Sequence, residues 1–159
     1  MEKRPVRNLR MNRSTHETRT FAKRLIAYEA RGNGSSETNK SLGFHVAEKL
    51  HPYLAALMGS GGFQALLSRS LALATAEVPW LSAVQVKADG SLEGLDKIHG
   101  QLDPDRFLEG QVVLLAQLLG LLKAFIGEIL TLRLLRDVWP KFPLNDLEFG
   151  NGDKNEKKQ

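Results

Sequence analysis

Three side chains in the first half of the sequence, His45, Glu48 and His51, are of types that bind divalent metals. Imidazole and carboxylate donors build catalytic zinc sites, which need several protein ligands converging on one point. The spacing here does not give convergence. Each step of three residues turns a helix by about 300°, and Pro52 interrupts the pattern beside His51. The trio reads as polar helix surface, and neither a metal nor a cofactor is expected.

Other residues with chemical potential fare no better. Gly59-Ser60-Gly61-Gly62 precedes an apolar helical segment, and glycine-rich turns at helix N-termini can hold phosphate. A phosphate-binding loop follows a strand and runs into Lys-Ser/Thr. Here the preceding segment is helical in pattern and no such pair follows, so the four residues read as a helix–helix turn. Ser68 and Ser70 sit mid-helix without the GxSxG elbow of a serine hydrolase. Glu77, Glu93, Glu109 and Glu128 could act as acids or bases, but nothing pairs them with a nucleophile or a ligand set. The sequence has no cysteine, which excludes a thiol nucleophile, a disulfide scaffold and a cysteine-ligated zinc site. The expectation is a protein that is not an enzyme.

Charge is the next signal. Residues 1–24 carry eight Lys or Arg against two Glu, a net of +6, which leaves −2 for residues 25–159. Lys3, Arg4, Arg7, Arg10 and Arg13, continued by Arg19, Lys23 and Arg24, are candidate polyanion-binding residues. Such a segment would hold phosphates or acidic headgroups through charge and would be salt-sensitive. Residues 3–24 are thus a candidate nucleic-acid or peripheral membrane contact, weighed against a plain solvated tail. The first residues lack the apolar core of a secretory signal; with the absence of cysteine, this fits a cytoplasmic location.

The elements that must carry these residues follow from periodicity. Residues 1–13 are basic, contain Pro5 and read as a disordered arm. Ser14 and Glu17 have capping-box spacing, which predicts an amphipathic helix over 14–30 with Phe21, Leu25, Ile26 and Tyr28 as its apolar stripe. As a peripheral helix it would dock on the core or on a partner. Gly-, Asn- and Ser-rich residues 31–41 read as a flexible linker. The main helical domain is 42–140. Its first helix, 42–58, is expected to kink near His51 because of Pro52, and its second runs from Phe63 to Glu77. Asp89-Gly90 is a turn signal that predicts a short β-hairpin near 82–93. Leu92, Leu95, Ile98 and Leu102 recur at helical spacing after it.

The densest apolar stretch is Asp103 to Trp139. Asp103-Pro104 is an N-cap followed by proline at the first helical position, and Trp139-Pro140 is a stop. A helix of that length would be roughly 50 Å long at 1.5 Å per residue, so a kink at Gly110, Gly120 or Gly127 is expected. Val112–Leu132 approaches membrane-spanning length. Lys123 and Glu128 fall inside that window, and a central charge costs about 2.5–3.5 kcal/mol on insertion scales. Integral insertion is therefore disfavoured, and a helix covered nearly all round by its own fold is expected.

One row on this helix stands out. Ala116, Gly120 and Ala124, spaced by four and continued by Glu128, would let another backbone approach closely, within the fold or across a homo-oligomer. Arg133 and Asp137 have the spacing of an i,i+4 ion pair. After Pro140, residues 141–159 read as a partly disordered tail. In it Phe142, Leu144, Leu147 and Phe149 alternate with polar and acidic residues as a candidate partner-docking segment.

The fold class is thus mainly α: a small helical bundle around one long C-terminal hydrophobic helix, with a short hairpin near 82–93. The functional expectation is a protein–protein interaction or regulatory accessory domain with a protein partner or a second copy. Nucleic-acid or membrane-surface binding through the basic N-terminal segment is the alternative.

Overall fold

The computed structural model of the chain describes residues 14–33, 42–94, 97–98 and 100–143. Among them the elements run α1 (His16–Asn33), α2 (Leu42–Glu77), a 3-10 turn (Pro79–Ala83), β1 (Gln85–Val86), β2 (Leu92–Glu93), α3 (Pro104–Ile126) and α4 (Glu128–Val138). The protein is mainly α with one small antiparallel hairpin. In that hairpin Gln85 pairs with Glu93 and Val86 with Leu92.

The organising element is α3. Asp103 caps it by accepting a hydrogen bond at 2.8 Å from the Arg106 N–H, and Pro104 occupies the first turn, where its missing N–H costs nothing. Every residue from Gly110 to Leu119 is buried. The two flanks of the helix insert into different clusters. Val112, Leu115, Ala116, Leu118, Leu119 and Leu122 join Phe21, Leu25, Leu50, Leu54 and Phe63 in the larger one. Phe107, Val113 and Leu114 join Phe44, Leu71, Ala74, Leu81 and Val84 in the smaller. α3 is long and apolar enough to cross a membrane by length and composition, and 61% of its most hydrophobic window is buried inside the fold.

The long apolar stretch breaks at Gly127, which takes φ 93° and ψ 159°. A Cβ in that conformation is strained, so glycine is what separates α3 from α4. The Gly127 carbonyl accepts from both the N–H and the hydroxyl of Thr131, at 3.1 and 2.7 Å.

α2 departs from the sequence reading. Pro52 does not split it; the interruption lies at Gly59, with φ 85° and ψ 158°. Pro52 and Glu48, whose carbonyl loses its helical partner to the proline ring, both lie on the exposed side. Val46, Leu50 and Leu54 hold the other side in the core. Gly61 and Gly62 are helical, so the glycine cluster supplies one kink instead of a loop.

The start of α1 also differs. The reciprocal cap is made by Thr15 and Thr18, each N–H donating to the other's hydroxyl at 3.1 Å. Ser14 and Glu17 do not form it: Glu17 is exposed and Ser14 is bonded to Glu77. The helix packs on α3 and α2 through buried Phe21, Ala22, Leu25 and Ile26.

Close backbone approach occurs at glycines that the small-residue row does not include. A Cβ on Gly43 would lie 2.6 Å from Cβ of Gln111, and one on Gly110 would lie 2.2 Å from the Trp80 ring. Gln111 fills the first of these contacts by accepting the Gly43 N–H at 2.6 Å, which satisfies a donor left open at the start of α2. At Gly120, by contrast, an added Cβ meets nothing within 4 Å. Gly110→Ala should therefore destabilise the fold by about 1–3 kcal/mol through overpacking. Gly120→Ala should stabilise it by up to about 1 kcal/mol through helix propensity. Urea denaturation of the two variants checks both signs.

Candidate interaction face

Two carboxylates with buried side chains, Glu29 and Glu77, have shifted titration, and perturbed titratable groups concentrate at functional sites. Glu77, at the end of α2, accepts from the Ser14 N–H at 2.8 Å, the Ser14 hydroxyl at 3.1 Å and Gln117 Nε2 at 2.6 Å, and it also binds the Arg19 guanidinium. Glu29, on α1, accepts from Trp139 Nε1 and Lys49 Nζ, both at 2.6 Å. Burial pushes each carboxyl up, but the donors outweigh it. Hydrogen bonds from Ser14, Gln117 and Arg19 hold Glu77 below its ordinary value, and Lys49 and Trp139 do the same for Glu29. Both groups are fully engaged in joining elements: Glu77 fastens the beginning of α1 to α2 and α3, and Glu29 fastens α1 to α2 and the end of α4. They are structural latches. Among the described residues no buried side-chain nitrogen or oxygen lacks a partner.

The sequence-nominated metal trio does not assemble. His45 lies 3.7 Å from Glu48, but His51 stacks on Phe63 with ring centroids 4.5 Å apart. Among the described residues no group of three His, Asp or Glu could hold a metal ion.

The residues that remain unexplained are apolar. α4 carries more hydrophobic side chains than the core can cover. Thr131, Leu134 and Leu135 turn inward, whereas Ile129 is 78% exposed and Leu130 is 38% exposed. Phe125, just before the Gly127 break, is 72% exposed. On α2, Tyr53 and Leu57 are likewise exposed. Pro52, Tyr53, Ala56 and Leu57 of α2 face Leu130, Arg133, Leu134 and Asp137 of α4 across a cleft of about 600 Å³. A second depression, lined by Ile126, Gly127, Glu128 and Ile129, shares Leu130 and Arg133 with the first. Single exposed apolar residues are ordinary, but a contiguous patch marks an interaction surface.

Two charges border this patch. Arg133 and Asp137, expected to pair along the helix, form no ion pair in the described structure; both are exposed and both line the cleft. The Gly127 break explains why the sequence reading overlooked the face. It re-aims α4, so a wheel drawn through one continuous helix misassigns the sides of residues 128–138.

The other nominated residues fall as follows. In the small-residue row, Ala116 is buried in the larger cluster, Gly120 and Glu128 are half-buried, and Ala124 is exposed. Among the described residues no close contact is made at Gly120, whose side of α3 is open, while Leu119 and Leu122 beside it stay buried. Phe142 is buried, with edge-on contacts to Phe21 and Tyr28 at 5.7 and 5.2 Å, so this residue folds back on the domain. Leu144, Leu147 and Phe149 lie outside the described residues, as do Lys3, Arg4, Arg7, Arg10 and Arg13. Of the remaining basic residues, Arg19 is committed to Glu77, and Lys23 and Arg24 are exposed.

Comparison of the chain with family models, curated proteins and solved structures returned no match.

The latches make the fold acid-sensitive. A carboxyl whose folded value is depressed contributes stability that is fully present above its ordinary value of 4.5. That contribution is lost as pH falls through the lower folded value. Stability should therefore drop on acidification below about pH 4.5, and Glu29→Gln/Glu77→Gln should flatten that dependence. Thermal melts of both proteins from pH 7 to pH 3 measure it; equal slopes would remove the latches from the account.

Proposed function

We propose that the protein is a non-enzymatic helical interaction module, regulatory or accessory in role, that docks on a protein through the α2–α4 face. One observation carries the reading. Phe125, Ile129 and Leu130 are exposed around the Gly127 break, and Leu130 also lines the cleft with Tyr53 and Leu57. Leaving so many large apolar groups in water forgoes about 1.5–3 kcal/mol of burial for each of them, which a partner would recover. A cytoplasmic location belongs to the same reading.

A second reading, polyanion binding through residues 3–24, draws support from the net +6 of residues 1–24 and from the exposure of Lys23 and Arg24. It differs in its salt response: charge-driven binding falls steeply with added salt, whereas an apolar interface does not.

The test is crosslinking and affinity purification at low and high salt, with wild type and Phe125→Ser/Ile129→Ser. The variant should keep its fold and melting temperature, since neither side chain is buried, and should lose specifically captured protein by tenfold or more at both salt concentrations. Capture that is unchanged in the variant but vanishes with salt would transfer the function to the basic segment.

A further inference from the structure

We infer that the occupant of the α2–α4 face is a second copy of this chain, joined about a two-fold axis; this rests on the interaction reading above and names its partner. The face is complementary in charge to a copy of itself. Arg133 and Asp137 lie one helical turn apart on the edge of an apolar cleft, and neither has an ion pair in the described structure. In an isologous contact, residue i of one subunit meets j of the other and j meets i. An axis passing between the two positions, with the α4 helices antiparallel, sets each Arg133 against the partner's Asp137. Both charges are then paired, twice, by one operation.

Leu130, Arg133 and Asp137 occur at i, i+3 and i+7 on the exposed side of α4, along the cleft that Tyr53 and Leu57 also line. A foreign protein would need this sequence of charges in reverse; a copy related by two-fold symmetry supplies it automatically. Other classes of partner fit less well. Asp137 and Glu128 would repel a nucleic-acid backbone, and inserting the cleft rim into a bilayer would desolvate Asp137.

The face is small. Along α4, from Ile129 to Asp137, it extends about 12 Å by helix rise, a short stripe beside a standard interface of ~800 Å² per partner. A dimer with a micromolar dissociation constant is expected, and sedimentation velocity from about 1 µM to 1 mM covers that range.

The decisive variants are Arg133→Asp and Asp137→Arg. Each places two like charges on the stripe, so each should weaken the homodimer at least tenfold. Mixed in equal amounts, they should recover a heterodimer of near wild-type affinity, because the aspartates of one then face the arginines of the other. Circular dichroism checks that both variants keep their helices. Rescue on mixing cannot come from a contact within one chain. A wild-type protein that is monomeric throughout overturns the proposal, as does a dimer indifferent to either reversal or an unrescued mixture. A monomer that still captures a different protein, sensitive to Phe125→Ser/Ile129→Ser, overturns only the second copy and leaves the interaction reading intact. Loss of that capture as well overturns both. Flotation of the monomer with phosphatidylserine-containing vesicles, abolished by the same double substitution, would assign the face to a bilayer and also overturn the proposal.

Discussion

The whole structure depends on covering a helix that has no polar side. From Gly110 to Leu119 each residue of α3 is buried, so no single neighbour suffices. α1, α4 and residues from both halves of α2 (Leu50 and Leu54, Phe63 and Leu67) close one flank; Phe44 and the end of α2, with the 3-10 turn and Val84, close the other. The polar residues inside this sheath are few and fully used. Gln111 accepts from the start of α2 and donates to the Phe107 carbonyl, and Gln117 donates to the carboxylate of Glu77. An unpaired amide there would cost about 1–3 kcal/mol, so both positions also fix the rotation of α3 about its axis.

Coverage ends where the sheath does. Beyond Leu122 the residues of α3 become half-buried or exposed, and at Gly127 the chain turns. The apolar groups left at that end are of the same kind as those buried further back. What differs is that no described element lies over Phe125 and Ile129. The exposed apolar face is thus a continuation of the core to the surface, which accounts for its mix of aliphatic side chains and bordering charges.

Much of the fold was legible in the sequence. The Asp103-Pro104 start, the Trp139-Pro140 stop and the Asp89-Gly90 hairpin are local signals, and each lies where its residues placed it. The kinks were harder, because three glycines compete for one break in the long stretch, and only packing decides among them. Gly110 cannot bend away, since Trp80 lies against it; Gly127 has open space. The candidate site was largely hidden for the same reason. Tyr53 and Leu57 look like core positions of an amphipathic helix, and nothing local reveals that α4 stops short of covering them. Phe142 left docking and folding back equally open, because its partners Phe21 and Tyr28 lie more than a hundred residues away. The carboxylate latches depend on pairings just as distant, which no spacing rule encodes.

Those distances bear on how the chain assembles. The Glu29 contact with Trp139 spans 110 positions, and the contact between Ser14 and Glu77 spans 63. On a ribosome α1 emerges before the other described helices, and the indole that completes its far anchorage follows 110 residues later. At a synthesis rate of roughly 5–20 residues per second, α1 waits some seconds with a carboxylate and an apolar stripe uncommitted. Closing such long loops is entropically slow. Among the described helices, the one made earliest is therefore secured late.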